Sequence, residues 1–275
     1  MPNKPILLID ETFHPTFLSS YKATVLLSEK QISVSFMDYV RKKYIYFFSQ
    51  SSEEAYSTEV IKKILTEQYL NEKNVKSRFI VATPHVQIIP ASFYKEENEA
   101  LAHHFVFNND EQIHHCPSLY DSMLLFSLPA PIDEILQPFN QSLVYPHIQA
   151  SIHLANFHLK KNKQKSTVLV HLHESFFEAI VIDNEHLVLM NTYSYQHADD
   201  ILYFIHLLYQ TLSLDKDTFP LVFSGQVDKK DDIIKKAKDF GFNIDYARLH
   251  TSNIYSYRFN ELSIHRYASL FSISQ

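Results

Sequence analysis

"VLVHLHESFFEAIVID" (residues 168–183) decides the reading of this chain. Apolar and β-branched residues flank a short polar step, His173-Glu174-Ser175, so the stretch reads as two strands meeting at a tight turn. The turn contains no glycine. Working outward, "STVLVHL" (166–172), "FFEAIVID" (176–183) and "HLVLMNTY" (186–193) form three successive strands. A helix follows over "HADDILYFIHLLYQTL" (197–212), with Ile201, Leu202, Ile205, Leu208, Tyr209 and Leu212 on one face. Asp199 and Asp200 lie in its first turn, where carboxylates suit the helix dipole. "FPLVFSG" (219–225) is the next strand, and "KKDDIIKKAKDFG" (229–241) is a helix ended by Gly241.

The first half repeats this order. "ATVLLS" (23–28), "QISVSFMD" (31–38) and "KYIYFFSQ" (43–50) are strands, and "SEEAYSTEVIKKILTEQYL" (52–70) is a helix with Ser52 as its N-cap. "RFIVATP" (78–84) is a buried strand stopped by Pro84. Thr167 follows Thr24 by 143 residues (167 − 24) and Leu221 follows Phe79 by 142 (221 − 79), so two strand–strand–strand–helix–strand units stand at one offset. Material without a counterpart lies between them. "ASFYKEENEALAHHFVF" (91–107) reads as helix, "DSMLLFSLP" (121–129) as strand, "PIDEILQPFNQSL" (131–143) as helix interrupted by Pro138, and "IQASIHLANFHL" (148–159) as a crossover helix. "HLKKNKQK" (158–165) reads as a solvated linker.

Composition narrows the function classes. The 275 residues carry a formal net charge of −6 with Lys and Arg scattered, so no basic face recruits nucleic acid. One cysteine, Cys116, precludes an intramolecular disulfide. "MPNKPILLIDETFHP" has neither signal nor transit character, and no apolar run reaches the ~18 residues of a membrane span. The expected location is the cytoplasm. Only two glycines occur, Gly225 and Gly241, where ordinary usage of about 7% would give about twenty. Glycine lets backbone approach a ligand closely, so any glycine-rich phosphate loop is disfavoured.

The duplicated β-β-β-α-β order resembles two ribonuclease-H-like lobes of the actin-like ATPase fold, the superfamily of actin, sugar kinases and Hsp70-type chaperones. More narrowly, residues 168–215 followed by "PLVFSGQV" and ending in "ELSIHRYASLF" resemble an uncharacterised bacterial family, domain of unknown function 3822. The resemblance implies an α/β protein with mixed sheets. The first lobe is expected over 1–147 with an insertion at about 91–130, and the crossover helix and second lobe over 148–275.

The resemblance also implies where a nucleotide would sit. Working members carry an Asp and glycines in the first hairpin of each lobe, with backbone N–H groups on phosphate and the Asp on hydrated Mg²⁺. Here the first hairpin, "VLLSEKQISV" (25–34), has Leu27 or Ser28 at the Asp position, no glycine, and Glu29 beside it. In the second, His171 stands near the Asp position and His173-Glu174-Ser175 replace the glycines. Imidazole is a poor Mg²⁺ ligand. The adenosine-side loop, normally a run of glycines, keeps one, Gly225, beside Ser224 in "FSGQV" (223–227). Gly225, Ser224, His171 and His173 are thus the degenerate nucleotide-loop positions.

Three other constellations offer ligand or catalytic residue types. His103, His104, His114, His115 and Cys116 offer zinc-ligand chemistry without a zinc-ligand spacing, and read as surface-loop histidines on the insertion. Asp199, Asp200 and Glu178 could imitate a nuclease carboxylate set, but read as capping and solvent-facing groups. Cys116 with a distant His could imitate a nucleophile–base pair, without a supporting motif. The leading expectation is therefore a non-catalytic actin-like scaffold that binds a protein partner and needs no cofactor. The alternatives are an atypical ATP/Mg-binding protein and, more weakly, a metal-dependent hydrolase built on the histidine-rich insertion. Partner identity and oligomeric state are not legible.

Overall fold

A computed structural model describes residues 4–70, 75–95, 112–137 and 143–273. Its strands are β1 (Ile6–Ile9), β2 (Tyr21–Leu27), β3 (Gln31–Asp38), β4 (Lys43–Ser51), β5 (Lys76–Val81), β6 (Val86–Pro90), β7 (Ile113–Ser118), β8 (Ser122–Ser127) and β9 (Val144–Pro146), then β10 (Thr167–Leu172), β11 (Phe176–Asp183), β12 (His186–Ser194), β13 (Leu221–Gly225), β14 (Ile244–Tyr246) and β15 (Ile254–Tyr255). The α-helices are α1 (Thr58–Glu67), α2 (Ala130–Leu136), α3 (His147–Asn162), α4 (Ala198–Thr211), α5 (Asp232–Asp239) and α6 (Ile264–Tyr267).

The duplication is present in the sheets. The first sheet runs β1-β4-β3-β2-β5-β9, and the second runs β12-β11-β10-β13-β14. From β4 and from β12 onward both read 3-2-1-4-5. In each, the first three strands are antiparallel and the last two join in parallel. Parallel joins require crossovers, and α1 and α4 supply them. Each first strand is buried along nearly its whole length, as befits a strand covered on both faces. In β10, Leu169 packs with Ile148 and Ile152 of α3, whereas Val168, Val170 and Leu172 face the core under α4 and α5.

The hairpins fix the true offset. Ser28 N–H donates to the Gln31 carbonyl as His173 N–H donates to that of Phe176. Ala82 N–H donates to the Leu27 carbonyl as Gln226 N–H donates to that of Leu172. Matched residues are therefore 145 apart in the hairpins (173 − 28) and 144 apart after the fourth strand (226 − 82).

Local differences from the expected elements have local causes. Helix α1 starts later than Ser52, because Ser57 accepts from Val60 N–H and caps it. The first five residues of "HLKKNKQK" are the end of α3, with Lys163 left-handed at its C-cap, and only Lys163–Lys165 form the exposed connection expected there. The insertion holds a three-stranded sheet, β6-β8-β7. His114, His115 and Cys116 lie in β7 and not in a surface loop, with Cys116 buried. His103, His104 and most of the helix expected at 91–107 fall outside the described residues. The C-terminal residues return to the first sheet: β15 pairs with β4, and Phe259, Leu262, Leu270 and Phe271 pack against Leu26, Met37, Tyr44 and Phe47. Among the described residues, no helix is long and apolar enough to cross a membrane.

Candidate functional site

Strand alternation builds a polar row beneath the first turn of α3. On β10, His171 follows Leu169 on the face that α3 covers. Across the antiparallel pair it stands opposite Glu178 of β11, and across the parallel pair beside Ser224 of β13. His147 is the first residue of α3 after Pro146, and Ser151 lies one turn on, so both reach the same face. His173, just past β10, closes the group. His147, Glu178, Ser151 and Ser224 are fully buried, and His171 and His173 nearly so.

Glu178 is the hub. Its carboxylate oxygens lie 2.9 and 3.0 Å from His147 Nδ1 and 3.2 Å from His173 Nε2. The Ser151 hydroxyl also donates to it. His171 Nδ1 is 2.8 Å from Ser224 Oγ. The rings crowd together, with centroids 4.1 Å apart for His147–His171, 4.6 Å for His147–His173 and 4.7 Å for His171–His173. His173 also stacks on Phe176 at 4.3 Å. Burial alone would raise the Glu178 carboxyl, but the His147 and His173 rings and their hydrogen bonds outweigh it and hold the group well below the usual carboxylate range. Burial pushes His147 down, against the pull of Glu178, and His171 well down, which favours their neutral forms. An ionised carboxylate only accepts, so His147 Nδ1 carries its proton. His147 Nε2 then holds a lone pair, buried without a partner.

The two hairpins meet beside this cluster. Ser28 Oγ donates to Glu174 Oε1 at 3.3 Å. The Gln226 amide donates to Glu174 Oε1 at 2.6 Å and to Gln31 Oε1 at 3.1 Å. These contacts tie the first turn of one lobe to the first turn of the other. Glu29 and Glu174 occupy matched turn positions, placing one acid in each hairpin. A nucleotide phosphate therefore does not fit: no glycine amide faces it, the turns are joined by side chains, and both carry carboxylates.

The positions expected to be nucleotide loops are brought together, in the protein interior. Ser224 and His171 bond to each other, and Gly225 packs against the His171 ring. A Cβ on Gly225 would lie 2.3 Å from the Leu172 carbonyl oxygen and 2.7 Å from His171 Nε2. The described members of the other constellations have roles of their own. His114 Nε2 bonds Asp133 at 3.0 Å, and burial pushes the Cys116 thiol up to about 12, leaving it inert. Asp200 caps α4 by accepting from Gln196 and His197 N–H at 2.9 Å, and Asp199 is an exposed partner of Lys236, as expected. Glu178 is the correction: it is a buried hub and not solvent-facing. Two members of the cluster, His147 and Glu178, are missed by motif reading. Alternation gives the signal for Glu178, because its same-face neighbours Phe176, Ile180 and Ile182 are all apolar.

Sheet order and paired hairpins define a protein of the actin-like ATPase fold. A Bacteroides thetaiotaomicron VPI-5482 protein of that fold and of unknown function superposes with a TM-score of 0.74 at 16% identity, over 86% of this chain and 93% of that one. A chain of the PilM–PilN type IV pilus biogenesis complex superposes at 0.58 and 10% identity, over 91% and 96%. Among curated proteins, none is significantly similar in sequence. The chain belongs to the family described as "Protein of unknown function (DUF3822)", which matches residues 10–244.

Proposed function

We propose that this chain is a cytoplasmic, non-catalytic actin-like scaffold that works through contact with a protein partner and without nucleotide. It is read as two lobes, 1–147 and 148–275. The observation that carries this reading is the Ser28–Glu174–Gln226–Gln31 bridge, which occupies the space between the hairpins with side chains. Half-buried carboxylate–amide bonds of this kind cost about 1 kcal/mol or more to break, and a phosphate would then meet two glutamates. The presence of another actin-like chain in the PilM–PilN complex is consistent with the fold serving as a docking platform. The groove between α4 and α5 offers a contact surface, with Tyr203 63% and Phe240 57% exposed beside Leu202 and Phe242.

Isothermal titration of the full chain with Mg-ATP tests the reading. No saturable heat is expected up to millimolar nucleotide, and saturable binding refutes it. Tyr203→Glu with Phe240→Glu should then abolish co-purification of a partner recovered by the wild-type chain.

A further inference from the structure

We propose that His147, His171 and His173 form a zinc-binding site, with Glu178 orienting the rings from the side away from the ion. The three side chains each offer a ligand nitrogen, and these atoms all lie within 4.8 Å of one another in the interior. Among the described residues this is the one such group of three or more His, Cys, Asp or Glu side chains. It is separate from the histidines of the insertion.

Hydrogen-bond valence assigns the ligand atoms. Glu178 takes the Nδ1 proton of His147 and the Nε2 proton of His173, which leaves lone pairs on His147 Nε2 and His173 Nδ1. Ser224 Oγ engages His171 Nδ1, which leaves His171 Nε2. A carboxylate or hydroxyl on the far nitrogen is how proteins fix metal-binding imidazoles. The buried, unpartnered Nε2 of His147 is an independent sign, because an orphaned polar atom in a core is costly unless something occupies it.

Charge points the same way. Among the described residues, Glu178 has no ion-pair partners other than the rings of His147 and His173. A buried carboxylate that faces only imidazoles is matched by a dication held at the ring centre. Imidazole suits zinc, whereas magnesium and calcium require oxygen. Zinc–nitrogen bonds of about 2.0–2.1 Å set tetrahedral ligands roughly 3.3 Å apart, so nitrogens that lie within 4.8 Å of one another draw together by side-chain rotation. The bound ion would pin the start of α3 to β10 and β11.

The test uses the full chain, purified without a metal-affinity tag, stripped with chelator and titrated with ZnCl₂ by calorimetry. One zinc per chain and a raised melting temperature are expected. His147→Gln and His173→Gln should each weaken binding at least 100-fold, and Glu178→Gln about 10- to 100-fold. H103A/H104A/H115A should bind as the wild type does. Lack of stoichiometric uptake by the wild-type chain overturns the proposal, as does wild-type affinity in folded H147Q or H173Q, or loss of binding in the insertion variant. Should the ligand variants not fold, cobalt(II) added to the wild-type chain must give the intense visible bands of a four-coordinate site, and their absence overturns it equally.

Discussion

Gly225 and Gly241 share a backbone conformation and differ in surroundings, which makes them a controlled pair. Their φ values are +80° and +77°, a region that costs an L-residue about 1 kcal/mol. An alanine Cβ at Gly241 would meet nothing within 4 Å. At Gly225 it would lie 2.3 Å from the Leu172 carbonyl oxygen, 2.7 Å from His171 Nε2 and 2.9 Å from His171 Cδ2. That carbonyl accepts from Gln226 N–H at 2.8 Å, so relieving the clash loosens the β10–β13 junction. Overpacking of this kind costs about 1–3 kcal/mol. Gly241→Ala should therefore lose about 1 kcal/mol and Gly225→Ala about 3 kcal/mol. At roughly 2–4 °C per kcal/mol, thermal melts of the two variants should separate by at least about 4 °C. Equal losses, or a Gly225→Ala variant as stable as Gly241→Ala, would refute the close approach between Gly225 and His171.

Three further perturbations are informative. Glu178→Ala strands the donors on Ser151, His147 and His173, and should cost about 3 kcal/mol in urea denaturation; a loss under 1 kcal/mol would mean that the hub is not formed. Lys163→Gly removes left-handed strain at the end of α3, where φ is +53°, and should stabilise by about 0.5–1 kcal/mol; a variant no more stable than wild type contradicts this. Asp10 is buried, which alone would raise its carboxyl, but Lys43 at 2.8 Å, Thr12 and Ser256 hold it well below the usual range. A depressed carboxylate contributes stability that is present above its unfolded value of about 3.9 and fades as pH falls through the folded value. Asp10→Asn should thus lose about 2 kcal/mol at pH 7, with the gap to wild type narrowing below about pH 4; a pH-independent gap argues against the ion pair.

Much of the frame was legible because both sheets are built from strands whose apolar alternation survives in one sequence. Four strands of each lobe, and helices α1, α3, α4 and α5, stand near their expected places. Short edge strands were not legible: β14 has three residues and β15 two, and their pairing is set by what lies alongside. The buried cluster was half legible. His171 and His173 drew notice through the missing glycines, whereas His147 opens a helix after a proline and has no motif of its own. Glu178 was misread because a carboxylate amid "FFEAIVID" was assigned by residue type to solvent. On a strand covered on both sides it has no solvent to face, and burial obliges it to find donors.

The matched hairpins also show that the two copies have diverged in chemistry more than in geometry. By the bond pattern, Leu26 stands in the first lobe where His171 stands in the second, and Ser33 where Glu178 stands. Leu26 packs with Phe259 and Phe271 of the returning C-terminal segment, and Ser33 bonds Ser49 at 2.9 Å. One copy therefore spends this position on apolar packing and the other on a charged hub. The donors at the meeting of the turns, Ser28 and Gln226, are both engaged by the Glu174 carboxylate. Glu178 is engaged by His147 and Ser151 of α3. Whatever chemistry the cluster serves, it acts on the crossover helix of the second lobe.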